Sequence, residues 1–405
     1  MVSDDVLTYV TQSSDGGAHF IQVTTRRTYA LANGRRCEVA PRQTALSPAI
    51  EYYEDRAGQG GAILPRTDPD LFAPLKLATD VVVQGNAWSP SGLVPQLDVS
   101  VAVMPPHAGR DASRAARVMR VIGDRRVEWR GEGNAPTFTP PTPFSKMPLT
   151  YDRAYGGRDL WGEVTHPDEN LAWFQPYTDV SKEELSPYNY ARNPAGRGYV
   201  VFPDRAAFDA LQLPNLELPG DLLTPERLCS GDANRWPMQP VPAGFDWCEQ
   251  SWFPRFAFLG MGVAHGAAAS DFVEVRSGYL SAEHVMRNPL ESESPITESF
   301  DDRIYNGASP WLILPRLTGA ERVVLTNLHR LHSKLEFELP GERPQVLVDV
   351  PGKGPTELPA TLATVLIEPD EDRVSLVWGA RIAIELPITE PQEESLRYAV
   401  RWRSA

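Results

Sequence analysis

The chain has 405 residues, of which 42% are hydrophobic and 23% charged, and its net charge is −14 at pH 7. An acidic surface repels phosphates, so nucleic acid is excluded as a general partner. No run approaches the ~20 apolar residues that a membrane span needs. The acidic amino-terminus lacks the basic and apolar regions of a signal peptide. A cytoplasmic protein without a membrane span is therefore expected.

Three cysteines, Cys37, Cys229 and Cys248, are widely spaced along the chain. This odd number and this spacing match neither a disulfide framework nor a zinc pattern, and they fit a reducing compartment. Each cysteine is expected to be a buried, unreactive thiol. The sequence predicts no cofactor and no metal site.

The amino-terminal third predicts strands. Gln96–Met104 alternates strictly between apolar and polar residues, which is typical of a strand with one buried face. Apolar residues of shared parity predict earlier strands around 21–31 and 81–83. Two shorter alternations flank Gly123-Asp124, where a bend or a bulge is expected.

The carboxyl-terminal third has the clearest strands. Leu335–Leu339 alternates, and valines recur at every second position from Val346 to Val350. A hairpin is predicted from Thr364–Glu368, through an acidic turn at 369–372, into Arg373–Leu386. The apolar residues of that last strand share one face, so it has to cover a core. The acidic turn is expected to be solvated.

The middle of the chain, about Gly131–Gly319, is rich in prolines and aromatics and has no clear periodicity. Short helices are predicted near Ser181–Glu184, Asp204–Leu211 and Ser281–Arg287. Because long structureless loops are abnormal in a compact domain, we expect the aromatics to pin this region against the sheets. The predicted fold is mainly β: a β-sandwich-like core of antiparallel strands, a long Pro/aromatic-rich irregular middle region and few short helices.

No catalytic signature stands out. His329 and His332 have H-x-x-H spacing, but their flanks predict strands, where residues three apart point to opposite faces. Glycine clusters at 58–61 and 352–354 lack the features of a phosphate loop and predict turns. Four carboxylates could serve in acid–base chemistry, as could others in so acidic a chain: Asp68, Asp70, Asp301 and Asp302.

The segment Pro143–Gly157 combines prolines, aromatics, charged residues and a glycine pair. One interpretation is a buried connector pinned by its aromatics. The other is a binding surface, because aromatics and arginine are the usual interface anchors.

Seven segments, by their order and spacing, resemble a bacterial family with a domain of unknown function. Its genes sit in type VI secretion clusters beside VgrG spike, PAAR tip and toxin-effector genes. The segments are Pro74–Gly85, Val121–Arg125, Pro143–Gly157, Asn193–Gly198, Leu213–Glu217, Pro242–Phe245 and Leu362–Ile382. The family commonly has more basic versions of the stretches Pro65–Lys76 and Val121–Arg125, so the partner surface here is expected to differ in detail.

The resemblance covers residues 18–386, which are expected to form one unit. Strands from 18–130 and 320–386 would build its core, 131–319 would be an irregular elaboration, and 387–405 would be a tail. The resemblance implies a non-enzymatic effector adaptor or chaperone. Its expected partners are a cognate toxin effector and a PAAR-domain protein, and VgrG is an additional candidate partner.

Two alternatives stay open: a hydrolase acting on carbohydrate or peptide, with aromatic platforms and paired carboxylates, or a structural component of a contractile injection assembly. No catalytic residue is predicted. Seven residues are expected either to fix the middle region or to face the partner: Phe144, Tyr151, Arg153, Tyr155, Asn193, Arg197 and Asn215.

Overall fold

The computed structural model describes residues 5–12, 19–53, 64–106, 116–129, 135–166, 188–252, 255, 302–350, 352–384 and 396–404. In chain order the first elements are β1 (Val6–Gln12), β2 (His19–Ala30), β3 (Glu38–Val39), β4 (Thr79–Val83), β5 (Asn86–Trp88), β6 (Gln96–Met104), β7 (Arg117–Ile122), β8 (Val127–Glu128), β9 (Thr137–Phe138), β10 (Lys146–Pro148), β11 (Tyr155–Gly156), α1 (Leu160–Thr165), β12 (Arg197–Gly198), α2 (Arg205–Ala210) and β13 (Leu216–Glu217). They are followed by β14 (Ile313–Leu314), β15 (Arg322–Thr326), β16 (Lys334–Glu338), β17 (Glu342–Val350), β18 (Gly354–Leu358), β19 (Thr361–Glu368), β20 (Arg373–Ile384) and β21 (Tyr398–Ser404).

The central sheet joins the two ends of the chain. Its strand order is β1-β2-β20-β19-β4-β14, and β3 pairs with β2. β4 and β19 run parallel, with Asp80 opposite Thr364, whereas the other neighbours are antiparallel. β2 pairs with β20 along its full length, from His19 opposite Ile384 to Ala30 opposite Arg373. The predicted hairpin is confirmed as β19 and β20.

A second sheet, β13-β7-β6-β15-β16, lies against the central one. Val99 and Val101 of β6 belong to one buried cluster with Val81, Val83 and Val365 of the central sheet. Because both sheets contribute their apolar faces to this cluster, they form a two-layered core of the kind found in sandwiches. The prediction of a mainly β fold is confirmed.

A third sheet, β18-β17-β21, packs alternate residues of β17 against the outer end of β2 and β20. β20 is buried on both faces from Val374 to Ala380, whereas its sequence predicts a single apolar face. The third sheet extends the face that already packs on the main core, because Ala380 shares the parity of Leu376 and Trp378. The other face is covered by Leu46 and Ala73, which pack around Val377. The absence of a side chain at Gly379 allows the backbone of Ala73 and Pro74 to approach this other face. β21 lies within the segment predicted as a tail, so at least that stretch of the segment is a paired strand.

The middle region has a core of its own, built from aromatic side chains. Tyr190 makes ring contacts with Tyr155, Tyr199 and Trp236 at centroid distances of 5.1, 5.2 and 6.0 Å. These contacts agree with the expectation that aromatics pin the irregular segments.

Helices are short throughout the described residues. The one predicted near 204–211 is present as α2, and the Asp204 carboxylate accepts from Ala206 N at 2.8 Å to cap it. The helices predicted near Ser181–Glu184 and Ser281–Arg287 lie outside the described residues. In the described portion of the chain, none of the helices is long and apolar enough to cross a bilayer.

The acidic turn of the hairpin is held in place on one side, although its sequence predicts a solvated tip. Asp370 accepts from Asn86 Nδ2 at 2.5 Å and from Trp88 Nε1 at 2.7 Å. His329 Nε2 lies 2.8 Å from Asp372 Oδ1. These charge-assisted hydrogen bonds fix the turn against β5 and the loop that follows β15.

We expect Gly379→Ala to destabilise the fold, because an added Cβ would lie 2.4 Å from the backbone of Ala73 and Pro74. Overpacking of this kind costs about 1–3 kcal/mol in unfolding free energy. The matched control is Gly220→Ala, where an added Cβ meets no atom within 4 Å. Equal urea-unfolding midpoints for the two variants would show that the segment 73–74 is not packed on β20.

Candidate functional site

Asn215 joins three regions of the chain through one buried amide. Its Nδ2 donates to Ile122 O at 2.9 Å and to Asp124 Oδ1 at 3.0 Å. Its Oδ1 accepts from Arg153 Nη1 at 3.2 Å and from Arg197 Nη1 at 3.4 Å. The amide therefore uses both its donors and its acceptor to tie the end of β7 to the Pro/aromatic-rich segment.

Asn193 makes similar hydrogen bonds to the segment Pro143–Gly157. Its Nδ2 donates to the carbonyls of Tyr151 at 2.8 Å and Tyr155 at 3.1 Å, and its own carbonyl accepts from Gly157 N at 2.9 Å. Gly156 has φ of +147°, and an added Cβ there would lie 2.1 Å from Asn193 O. Only glycine fits this close approach, which explains the glycine pair that ends the segment.

The three aromatic candidates are buried. Phe144 belongs to the main core. The Tyr151 ring meets Trp252 edge-on at 5.3 Å, and the Tyr155 hydroxyl donates to Gln239 Oε1 at 3.0 Å. Their rings therefore contribute packing to the fold, and they offer little area to a partner.

Arg153 and Arg197 are the candidates that reach solvent. Arg197 Nε donates to Asp152 O at 2.7 Å. Partial burial lowers the pKa of Arg197, and the neighbouring Arg153 guanidinium lowers it further. The structure thus brings six of the seven candidates into one network, with Phe144 outside it. Their contacts are those of residues that fix the middle region.

A buried cluster of charged groups joins the middle region to the central sheet. Lys76 Nζ donates to Asp80 Oδ2 at 2.7 Å and to Thr364 Oγ1 at 3.0 Å. Arg255 Nη1 donates to Asp68 Oδ1 at 2.6 Å, and Lys76 Nζ lies 3.7 Å from Asp68 Oδ2. The four charged side chains are at most 3% exposed. Two cations and two anions neutralise one another, as burial requires.

Sequence patterns do not predict this charge cluster, because its members are far apart along the chain. One signal is available: Lys76 is one of only five lysines and stands four residues before Asp80 in the segment Pro74–Gly85. Asp68 and Asp70 are candidates for acid–base chemistry by sequence, but each pairs with a cation of its own chain. Asp70 Oδ2 lies 3.2 Å from Arg26 Nη1, and burial raises the Asp70 pKa against the opposing effect of that arginine.

Asp246 differs from these carboxylates because its partners are neutral. It accepts from Gln84 Nε2 at 2.8 Å, from its neighbour Trp247 N at 2.8 Å and from the Tyr53 hydroxyl at 3.0 Å. Burial raises the pKa of Asp246 from 3.8 to about 7, while these hydrogen bonds oppose the rise. This carboxyl group therefore changes its charge near neutral pH.

The thiols show no sign of activation. Burial raises the pKa of Cys37, Cys229 and Cys248 to about 12 in each case, whereas a nucleophile needs a thiolate near pH 7.

The two paired histidines sit in the loop between β15 and β16, where their rings stack 4.9 Å apart. The prediction that His329 and His332 point to opposite faces is wrong, because the chain turns between the two strands. Among the described residues, no three His, Cys, Asp or Glu side chains are grouped so as to hold a metal.

An apolar cleft of about 380 Å³ opens at one end of the sandwich. Val103 of β6 lies on one side, and Leu314 and Leu317 lie on the other. These side chains pack against the main core as partly buried members. The core of the sandwich therefore reaches the surface between the ends of β6 and β7 and the edge strand β14.

The rim of this cleft is positively charged. Arg117 Nε donates to Trp311 O at 2.9 Å, and Arg316 Nη1 donates to Leu362 O at 3.4 Å. No carboxylate of the described residues lies within 4.0 Å of either guanidinium. Glu321, the acid of the cleft, is buried and accepts from backbone N–H groups of the adjoining turn. Arg316 Nη2 donates in addition to the carbonyl of Lys76. Both arginines are thus held by backbone carbonyls, and no carboxylate of the described residues neutralises their charge.

A family described as "uncharacterized protein conserved in bacteria", DUF2169, matches residues 16–379. The chain belongs to this family. A comparison with curated proteins found no match, and neither did a comparison with solved structures. The residues matched to DUF2169 include the asparagine–arginine network, the buried charge cluster and the cleft. They end within β20, so β21 lies beyond them.

We expect Asp246 to contribute to the pH dependence of the folding stability of this DUF2169 chain. The folded state keeps its proton up to pH ~7, whereas the unfolded state loses it near pH ~4. The folded state binds more protons between these values, so this contribution to stability is present below pH ~4 and is lost as the pH rises through ~7.

The test is the substitution Asp246→Asn, whose amide can accept from Gln84 and donate to the Tyr53 oxygen. Urea unfolding from pH 5 to pH 8 should show the stability of the variant rising relative to the wild type up to pH ~7 and then levelling. A difference that stays constant over this range would contradict the raised pKa.

Lys76→Met should destabilise the protein strongly, because it leaves Asp80 buried without a cation. The expected loss of unfolding free energy is about 3–5 kcal/mol. Lys334→Met is the matched control, since Lys334 is exposed and pairs with Glu336 at 3.1 Å; its loss should stay below about 1 kcal/mol. Similar losses for both would argue against the buried charge cluster as the anchor of the middle region.

Proposed function

We propose that this DUF2169 protein is an effector adaptor or chaperone of type VI secretion. It binds a cognate, PAAR-linked toxin effector in the bacterial cytoplasm and helps to load it onto the VgrG spike, without catalysing a reaction. The resemblance of seven segments to proteins encoded beside VgrG, PAAR and effector genes supports the secretion context. The cleft at the open end of the sandwich supports partner binding.

The apolar floor of the cleft carries the proposal. Val103, Leu314 and Leu317 are exposed enough to line the cleft and are still packed on the core behind them. A volume of about 380 Å³ suits the insertion of a few apolar side chains. A client protein aggregates less when its exposed apolar segment is covered in this way. If the cleft binds the folded client, binding also shifts the folding equilibrium of the client toward the folded state.

The positive charge of the rim adds a preference for acidic residues to the apolar floor of the cleft. Arg117 and Arg316 stand on either side of the cleft, in a chain whose net charge is −14. Guanidinium groups bind carboxylates through two parallel hydrogen bonds. The segment that fits best is therefore apolar with an acidic residue beside it.

The interior of the molecule suits a rigid support for such a cleft. The buried charge cluster and the two asparagine amides make their hydrogen bonds and ion pairs within the chain, so they hold the frame and leave recognition to the surface. A preorganised cleft binds its ligand at a lower entropy cost than a flexible one.

Coexpression with the toxin effector encoded next to the gene tests the proposal. We expect the effector to be soluble and to copurify with this chain, and to be insoluble or unsecreted without it. An effector that is equally soluble and equally secreted in both cases would overturn the adaptor function.

Two substitutions connect this outcome to the cleft. Leu314→Asp places a charge on its floor, and Arg117→Glu reverses the rim; each should reduce copurification at least tenfold. Leu93→Asp is the matched control, since Leu93 is 71% exposed in a turn away from the cleft. Thermal unfolding of each variant shows whether a loss comes from the cleft or from the fold.

A further inference from the structure

β21 is the outer strand of the three-stranded sheet, and in the described residues it pairs with β17 alone. Asp349 N donates to Arg397 O at 2.9 Å, which sets the phase of the ladder. In an antiparallel pair, every second residue bonds to the neighbouring strand. Ala399, Arg401 and Arg403 therefore bond to β17.

The residues in between have the opposite orientation. The backbone N–H and C=O groups of Tyr398, Val400 and Trp402 point away from β17. An edge of this kind is a template for another strand.

The two faces of β21 differ in chemistry. Tyr398, Val400 and Trp402 are partly buried and pack toward the cores. Arg401 and Arg403 are exposed on the other face. The strand thus alternates between apolar and cationic residues along an open edge.

The cationic face carries an unfavourable arrangement. Arg403 lies directly opposite Arg343 of β17, which is also exposed. Like charges placed opposite each other in a sheet destabilise it. No carboxylate of the described residues lies within 4.0 Å of Arg343, Arg401 or Arg403. Two acids of this sheet already have partners: Glu342 accepts from Arg27 Nη1 at 2.9 Å, and Glu357 accepts from Gln345 Nε2 at 2.7 Å.

We propose that the edge of β21 binds an extended segment of a partner protein in which acidic and apolar residues alternate. The backbone of the segment pairs with Tyr398, Val400 and Trp402, its carboxylates meet Arg401 and Arg403, and its apolar side chains continue the inner face. Opposite charges across neighbouring strands then replace the repulsion between the arginines.

Protein is favoured over nucleic acid as the occupant for two reasons. The net charge of −14 repels a phosphate backbone at longer range. An open ladder, moreover, is complementary to a peptide backbone and to no polynucleotide. β21 lies beyond the residues matched to DUF2169. The inference stands without the proposed function, since it concerns another surface.

The probe is a fluorescently labelled nine-residue peptide in which glutamate alternates with valine, and the measurement is fluorescence anisotropy at low salt with the full chain. The comparison peptide has lysine in place of glutamate. The wild type should prefer the glutamate peptide at least tenfold. Arg401→Glu combined with Arg403→Glu should reverse that preference.

Val400→Pro tests the backbone contribution to the interaction. It removes an N–H that points outward and leaves the ladder to β17 intact, as proline on an edge strand can. Binding of the glutamate peptide should fall at least tenfold. Arg205→Glu is the matched control, an exposed arginine on α2 that lies 3.8 Å from Asp209 and should leave peptide binding unchanged.

Three results would overturn the inference: no binding of the glutamate peptide to the wild type, an unchanged preference after charge reversal, or equal binding by the Val400→Pro variant with unchanged thermal unfolding. If Val400→Pro does not fold, the charge-reversal pair decides alone. If the charge-reversed protein self-associates and the wild type binds no peptide, the arginines only prevent edge-to-edge association of the protein with itself. None of these outcomes changes the effector-solubility test of the cleft.

Discussion

The neutralisation of Lys76, Asp80, Asp68 and Arg255 inside the molecule is the interaction on which the other features depend. Asp80 lies on β4, at the parallel pair with β19, so the cluster sits at the heart of the central sheet. Arg255 brings the middle region to this point, and Asn306 Nδ2 donates to Asp80 Oδ1 at 2.9 Å from its far end. An unpaired charge at this depth would cost several kcal/mol. The irregular chain is thus confined to the arrangement in which all four charges are paired.

The strands can be predicted because their signal is local. Alternation along Gln96–Met104 and Arg373–Leu386 is enough to indicate a strand, whatever its neighbours. The middle region has no such signal, since Asn215 bonds to Ile122 and Asp124, about 90 residues away in the chain. Its residues can be singled out as unusual, but whether they fix the fold or face a partner depends on contacts that no spacing reveals. The acidic turn departs from its sequence prediction for the same reason, because the donors to Asp370 come from β5.

The cations of the interior and those of the two candidate binding surfaces differ in their partners. The interior pairs its cations with nearby acids, whereas Arg117, Arg316, Arg401 and Arg403 stand at surfaces without such partners in the described residues. Arg343 connects these surfaces, since its Nε donates at 3.3 Å to the carbonyl of Thr318, a residue of the cleft wall. An acidic protein whose arginines lack described carboxylate partners in two adjoining places presents a local attraction for anions against a repulsive background. Such contrast favours selective over indiscriminate association.

The pairing of β2 with β20 has a consequence for the biosynthesis of the protein. About 340 residues separate the two strands, and at ~5–20 residues per second the ribosome needs roughly 17–70 s to deliver the second after the first. β2 has no partner on that side during this interval, and the central sheet cannot close until almost the whole polypeptide has emerged. Truncated products would therefore leave the edge of β2 exposed, and the nascent chain stays prone to aggregation until β20 has emerged.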